Sequence, residues 1–288
     1  MKVRIGIITR NRAALLPKAL DSALAQDFPD KEIIVYDIAS SDETPTLRQK
    51  YPQVQWLRSD ERLDMIGPKN YLMSQTDADF YFSLDDDAWF LAPDELSRGV
   101  ELMRANPKLA VLAYDILLPG MSPQKLAEKP EKHHVFIACG ALLRRSALEE
   151  VGYYRKLPAV YGGTEETDLC LQLLDRGYDI MVWRGLHIWH ERTAVGRDRH
   201  DQHRSLICNE FSGLIMNCPL VMLPVLLPWR IVSHFLAAAR AGELKSYRQG
   251  LVLFGKSFRR ALAARAPVSV RAYREYFRRA RLGKLKNE

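Results

Sequence analysis

The sequence predicts an α/β fold, a parallel sheet packed between helices, continued by a helical C-terminal region. Three observations predict it. β-Branched and aromatic runs of strand length alternate with segments whose apolar residues recur at helical spacing, from the N-terminus to about residue 183, and such alternation implies parallel strands joined by helical crossovers. The early strand runs stop in polar clusters, where ligands bind in open α/β sheets. The 288 residues are 47% hydrophobic and 27% charged, the balance of an ordinary globular protein with a large core. That balance excludes a disordered, collagen-like or disulfide-scaffold chain.

The elements follow in order. Residues 3–9 form a first strand, and Arg10, Asn11 and Arg12 stand where it ends. Residues 13–26 carry Leu15, Leu16, Ala19, Leu20, Ala23 and Leu24 on one helical face. Residues 31–36 form a second strand, stopped by the polar cluster 37–46, and Pro45 suits the first turn of a helix over 44–50. A short strand over 54–57, a helix over 69–75 and a strand over 80–84 come next; the last runs directly into Asp85, Asp86 and Asp87. A helix over 93–106 and a strand over 110–117 follow. Ser146, with Glu149 three residues on, has the spacing of a capping box. Residues 165–176 read as a helix closed by Gly177, with a strand over 179–183 after it.

The acid triplet is the sharpest chemical signal. Three adjacent carboxylates repel one another unless a cation sits among them, and hard oxygen ligands suit Mg²⁺ or Mn²⁺, which also takes phosphate oxygens. A solvated acidic turn is the bland alternative. Asp37 adds an acid on the same rim, able to accept a hydrogen bond from a base or ribose, although Asp is common in turns. Neither GxGxxG nor GxxxxGK[ST] occurs, so a bound nucleotide would rely on side chains and a metal.

Taken together, the chain resembles the inverting, nucleotide-sugar-dependent glycosyltransferases of family 2. The residues that carry the resemblance are Thr9-Arg10-Asn11-Arg12, EIIVYDIASSDET (32–44), Lys69-Asn70, SLDDD (83–87), CGALLRRSALEEVGYY (139–154), GGTEETDLCLQLLDRGYDI (162–180) and the pair His187 and His190. The resemblance spans roughly residues 1–195 in one register. It implies the GT-A fold, a Rossmann-like mixed sheet, as a catalytic domain over 1–205, with 206–288 as a helical, membrane-associating extension. It also implies roles. Thr9, Arg10, Asn11, Arg12, Asp37, Lys69, Asp85 and Asp86 match segments that hold the donor nucleotide. Asp85, Asp87 and His190 match the metal site, with Asp87 the direct ligand. Glu165 and Glu166 fall on the family's acid pair, whose second member deprotonates the acceptor hydroxyl. Gly140 and Asp168 match sugar or acceptor contacts.

The chemistry agrees with these residue types. Departure of a nucleoside diphosphate builds negative charge that a divalent cation stabilises. The incoming hydroxyl loses its proton to a carboxylate on the opposite face. One base and no covalent intermediate predict inversion. Glu165 and Glu166 also suit a helix N-terminus electrostatically, which is a structural reading of the same residues. The chain departs from the family pattern at three places: Ile38-Ala39 replaces the acid or amide and the glycine that usually follow the first aspartate, Glu166 replaces the commoner Asp, and Gln172 stands where Arg is frequent.

Cys139, Cys170, Cys208 and Cys218 show no paired spacing and read as reduced, buried thiols, and residues 1–12 lack a signal-peptide pattern; both point to the cytoplasm. His187, His190, His200 and His203 are not read as a zinc site, since no cysteine lies near. The charge is unevenly placed. Residues 240–288 hold 14 basic and 3 acidic side chains, a net +11, which leaves 28 basic and 32 acidic, a net −4, before them.

Residues 211–229 are uncharged, close to the length of a membrane span, but Pro219, Pro224 and Pro228 interrupt them. An interfacial or re-entrant segment is preferred to a buried surface or a true span. Leu251, Phe254, Phe258 and Leu262, and then Val270, Tyr273 and Phe277, form apolar stripes among arginines, the pattern of helices lying on anionic lipid or of a charged pair packed on the protein.

The expectation is therefore a metal-dependent glycosyltransferase that moves a sugar to a glycan or lipid-linked acceptor in cell-surface polysaccharide or lipopolysaccharide synthesis, peripherally bound to the inner face of the membrane. A polyprenyl-phosphate transferase and a non-catalytic nucleotide-sugar binder are the alternatives. A homo-oligomer is left open. Nucleic acid is not an expected partner, because the acidic first part would repel phosphate backbones and no reader motif is present. Loops over 118–134 and 196–203 are expected to shape the acceptor site.

Overall fold

The computed structural model describes residues 1–122, 129–159, 164–192 and 198–285. The chain divides into two compact units, Met1–Tyr153 with Gly177–Thr193, and Tyr154–Arg176 with Ala194–Glu288.

The first unit is built on a nine-stranded mixed sheet. In chain order it contains β1 (Val3–Thr9), α1 (Leu16–Leu24), β2 (Lys31–Ile38), a 3-10 turn (Thr44–Thr46) leading into α2 (Leu47–Lys50), β3 (Gln55–Ser59), α3 (Ile66–Ser74), β4 (Phe80–Asp85) and β5 (Ala88–Phe90). Then follow α4 (Glu95–Ala105), β6 (Leu109–Leu117), β7 (Glu131–Lys132), β8 (Gly140–Arg144), α5 (Arg145–Val151) and β9 (Asp179–His190). The sheet runs β3-β2-β1-β4-β8-β6-β9-β5, with β7 beside β9. β1 is parallel to β2 and β4, whereas β8 is antiparallel to β4 and β6, so the sheet is mixed, as the resemblance implied.

All seven residues of β1 are buried, as the strand lies inside the sheet between β2 and β4. Ile5, Ile7, Leu16, Leu20, Phe80, Phe82, Leu96 and Leu142 belong to one core cluster around it. The one charged member, Arg4, is held by Glu32, whose Oε1 accepts from its Nε at 2.6 Å, and by the Leu72 carbonyl at 3.2 Å. Gly140 opens β8 because the strand is crowded there. A Cβ would come within 2.8 Å of both Ile116 Cδ1 and Ile188 Cγ1.

Local corrections to the sequence reading have physical causes. β8 runs straight into α5, so Arg144, still extended at φ −79° and ψ 115°, takes the N-cap position and Ser146 lies inside the helix without a capping bond. The strand expected over 179–183 continues to His190, because a register shift between Tyr114 and Asp115 of β6 absorbs the interruption at Arg184-Gly185.

The second unit is helical: α6 (Glu165–Asp175), α7 (Arg199–Asn217), a 3-10 turn (Leu220–Met222), α8 (Leu223–Ala241), α9 (Leu244–Ala263) and α10 (Val270–Leu285). Among the described residues, two small cores hold it. Leu157, Ile215, Met216 and Ala261 gather with Leu223 and Phe254, and Ile207, Phe211, Ala238 and Tyr247 gather with Leu227, Leu251 and Phe254.

This packing changes the reading of the C-terminal stripes. Leu251 and Phe254 of α9 are spent on those cores and Tyr273 of α10 is only 5% exposed, so the α10 stripe and the first half of the α9 stripe turn inward, while Phe258 and Leu262 of α9 stay 40% and 52% exposed. The uncharged stretch 211–229 is likewise not one element. Its first part is buried in α7, the chain breaks at Cys218-Pro219, and its second part belongs to the 3-10 turn and α8. All four cysteines are free and buried, as expected.

Candidate active site

The site starts where β1 and β4 end. Parallel pairing sets Ile8 beside Asp85, so the residues leaving both strands converge on the same edge. Thr9 donates its hydroxyl to Asp86 Oδ2 at 2.8 Å, and the Arg12 guanidinium lies 3.6 Å from Asp86 Oδ1. Burial pushes the Asp86 carboxyl up to about 7 despite Thr9 and Arg12, and the charges of Asp85 and Asp87 add to the rise. Thr9, Arg12 and Asp86 are thus one cluster; Arg10 is exposed beside it.

Beyond β2, Asp37 is 2% exposed and already engaged. Its Oδ1 accepts from the Ser40 amide at 2.9 Å, and its Oδ2 pairs with Arg58, which also donates to the Ser40 carbonyl at 2.8 Å. The sequence reading missed Arg58, since a lone basic residue in a short strand carries no signal of its own. Asn11 fastens the two loops: its amide donates to Ser40 Oγ at 2.9 Å and its Oδ1 accepts from the Ser41 amide at 2.8 Å. Asn11 and Ala39 both have left-handed φ, +55° and +53°, so Ala39 keeps the conformation that the family's glycine would adopt freely. Lys69 is buried in α3.

The metal candidates meet through β5. This three-residue strand pairs Ala88 with His190 of β9, and the Glu191 amide donates to the Asp87 carbonyl at 2.9 Å, which brings two residues a hundred positions apart together. His190 Nε2 lies 3.2 Å from Asp87 Oδ1, yet it is buried and makes no hydrogen bond. Ligand atoms of Asp85, Cys139 and His190 lie within 4.8 Å of one another. A buried imidazole nitrogen that makes no hydrogen bond and lies beside carboxylates is the donor set a divalent cation completes, and it fits Mn²⁺ or Mg²⁺. Cys139 is a soft ligand that such hard ions disfavour, so we read it as a wall of the cluster rather than a ligand.

His187 has a different task. Its amide donates to Glu95 Oε1 at 2.8 Å, and the amides of Leu91 and Ala92 donate to Glu95 Oε2. Burial raises the Glu95 pKa, and these bonds oppose the rise. Glu95 therefore ties β9 to the start of α4 and holds His190's strand in place. Sequence reading gave Glu95 no role.

Glu165, Glu166 and Asp168 stand in the first turn of α6, where the helix dipole favours carboxylates. Glu166 is 8% exposed and Glu165 half-buried. Asp168 is the hub of a network: both oxygens pair with Arg155, Nε lying 2.9 Å from Oδ2, and Asn217 Nδ2 donates to Oδ1 at 2.7 Å. Gln172, at a position where Arg is frequent, donates to Asn217 Oδ1 at 2.7 Å and completes that network. Gly162, Gly163 and residues 123–128 and 196–197 of the expected acceptor loops lie outside the described residues.

Comparison with known proteins gives the family. The profile described as Glycosyl transferase family 2 matches residues 4–152, from β1 through α5. A curated relative, GalNAc(5)-diNAcBac-PP-undecaprenol beta-1,3-glucosyltransferase of Campylobacter jejuni, is 36% identical over 103 residues, 34% of this chain. That match spans 31% of the relative's length. Among solved structures, S. aureus TarS 1-349 superposes with a TM-score of 0.56 at 16% identity, over 90% of this chain and 92% of its own. The mannosyltransferase PcManGT from Pyrobaculum calidifontis, in complex with GDP-Man and Mn²⁺, superposes with a TM-score of 0.61 at 19% identity, over 98% and 80%. The two superpositions show the GT-A fold, and the profile match covers more than half of the sequence: the chain belongs to glycosyl transferase family 2.

Proposed function

We propose that the protein is an inverting, divalent-cation-dependent glycosyltransferase that moves a sugar from a nucleoside-diphosphate donor to a glycan or lipid-linked acceptor of cell-surface polysaccharide or lipopolysaccharide. The observation that carries this reading is the convergence of Asp85 and Asp87, at the end of β4, on the His190 imidazole, whose Nε2 is buried and makes no hydrogen bond, within a family 2 sequence. The relative's acceptor is named as an undecaprenol-linked glycan, which supports a lipid-linked acceptor here.

Each residue has a role that its chemistry allows. Asp37, oriented by Arg58, accepts from the donor's base or ribose, and Thr9, Arg10, Asn11, Arg12, Lys69 and Asp86 line the nucleotide. Asp87, Asp85 and His190 hold Mg²⁺ or Mn²⁺, which when bound offsets the charge of the departing diphosphate. Glu166, with Glu165 beside it, takes the acceptor hydroxyl's proton, and Gly140 and Asp168 support the sugar and acceptor side. The catalytic domain is assigned to 1–205 and the helical remainder to 206–288, whose net +11 holds the enzyme on the anionic inner face of the membrane.

A panel of nucleotide sugars, screened for thermal stabilisation with and without Mn²⁺ and then for transfer, tests the reading. One donor should raise the melting temperature only with the metal, and Asp87→Ala should remove both that shift and turnover. Glu166→Gln should keep the shift and lose turnover at least a hundredfold, roughly the contribution of a general base. Full turnover in chelator, or in Asp87→Ala, would refute the metal role.

A further inference from the structure

Helix α8 is amphipathic in the reverse sense for a surface helix. Its inward face is Leu223, Leu227, Arg230, His234 and Ala238, spaced by 4, 3, 4 and 4, and it carries the polar Arg230 and His234. Leu223 and Leu227 join the two cores of the helical unit, His234 stacks edge-on against Phe211 with ring centroids 5.7 Å apart, and Ala238 is 1% exposed. Arg230 and His234 both face Glu210 of α7 at 3.9 Å. The Ile231 carbonyl accepts from Tyr247 of α9 at 3.0 Å, which fastens the helix along its length.

The opposite face follows the same period and is wholly apolar. Val221, in the 3-10 turn that leads into α8, and Val225, Trp229, Val232 and Leu236 of the helix are between 46% and 76% exposed, with no charge among them. A continuous exposed apolar stripe of this length marks a contact surface.

The charge around it selects the partner. α9, which packs on α8, exposes Arg248, Lys256, Arg259 and Arg260, and Arg240 stands at the end of α8 itself. The described acids of this region are spent. Glu243 is paired with His200 at 2.9 Å and Arg199 at 3.5 Å, and Glu275 with Arg278 and Arg279 at 2.7 Å. A second copy would bring like charges together, whereas an anionic lipid surface offers hydrocarbon and negative headgroups at once.

Length alone does not fix how α8 meets the lipid. The 22 residues Leu220–Ala241 are long and apolar enough to cross a bilayer, about 33 Å as a helix. Packing decides otherwise, because a crossing would strip Leu223, Leu227 and Ala238 from their cores and put Arg230 and His234 into hydrocarbon. We propose that α8 is a monotopic membrane element, lying in the plane of an anionic leaflet with Val221, Val225, Trp229, Val232 and Leu236 in the acyl boundary and its other face on the protein. The inference deepens the membrane assignment made above and rests on it.

The test uses the full chain with vesicles of phosphatidylcholine and phosphatidylglycerol. Val225→Asp with Val232→Asp changes only exposed positions, so circular dichroism and the melting temperature should match wild type, while vesicle partitioning should fall at least about tenfold. The tryptophan signal lost in Trp229→Phe should be quenched by lipids brominated near the headgroup more than by lipids brominated at the chain end. If wild type binds and the double variant binds equally, the α8 face is refuted while the membrane assignment stands. If wild type does not bind, both fail. Deepest quenching at the bilayer centre would establish a span, and a wild-type dimer that the double variant dissolves, with vesicle binding unchanged, would establish a second copy as the occupant; each overturns the inference.

Discussion

Several residues at the strand ends have their first obligations to the protein. Asp37 is held by Arg58 and by the Ser40 amide, so its carboxylate is already oriented by the protein. Ala39 sits beside it at φ +53°, where a Cβ costs about 1 kcal/mol relative to glycine. Ala39→Gly should therefore raise unfolding stability by about 0.5–1 kcal/mol in urea titrations, and a loss of stability would show that the methyl group is used in packing. Asp37, the acid triplet and His190 were legible from their place in the sequence. Arg58 and Glu95 were not, because their roles depend on which strand end or helix start lies opposite, and composition holds no record of that.

At the level of elements, the network on α6 separates holding from chemistry. Asp168 is 2% exposed and bound twice to Arg155, so Asp168→Ala would leave that guanidinium without its counter-charge and should cost about 3 kcal/mol, read as a fall in melting temperature. Glu165→Ala, at the half-buried start of the same helix, should change stability by no more than about 0.5 kcal/mol. Equal losses would mean that the ion pair is not what fixes α6. β1, β2, β4 and α6 were legible because buried strands and a capped helix leave runs and periods in the sequence. β5 and β7, of three and two residues, fall below the length at which any period can be read, yet β5 is what sets Asp87 beside His190.

The charge of the whole molecule is divided along the chain, and the division makes a measurable claim. The net +11 of residues 240–288 predicts binding to anionic vesicles that weakens several-fold between about 0.1 and 0.5 M NaCl, as the screening length falls from about 10 Å to roughly 4 Å. The apolar stripe of α8 should leave a residue of binding that salt does not remove. Vesicle sedimentation across that range checks both parts. Complete release at high salt would leave the stripe without a role, and binding indifferent to salt would do the same for the arginines.

The sequence by itself determined the α/β class, the family, the acid triplet at a strand end and the uneven charge, since each is written in local runs, periods and spacings that survive without knowledge of contacts. Only the tertiary structure decided which side chains converge and which apolar faces are spent. The stripe of α10 and the first half of that of α9 look in sequence like membrane surfaces and are spent on the protein, whereas α8, interrupted by prolines, keeps its apolar face outward. The reason is that hydrophobic periodicity identifies a face that must be covered but carries no information about what covers it.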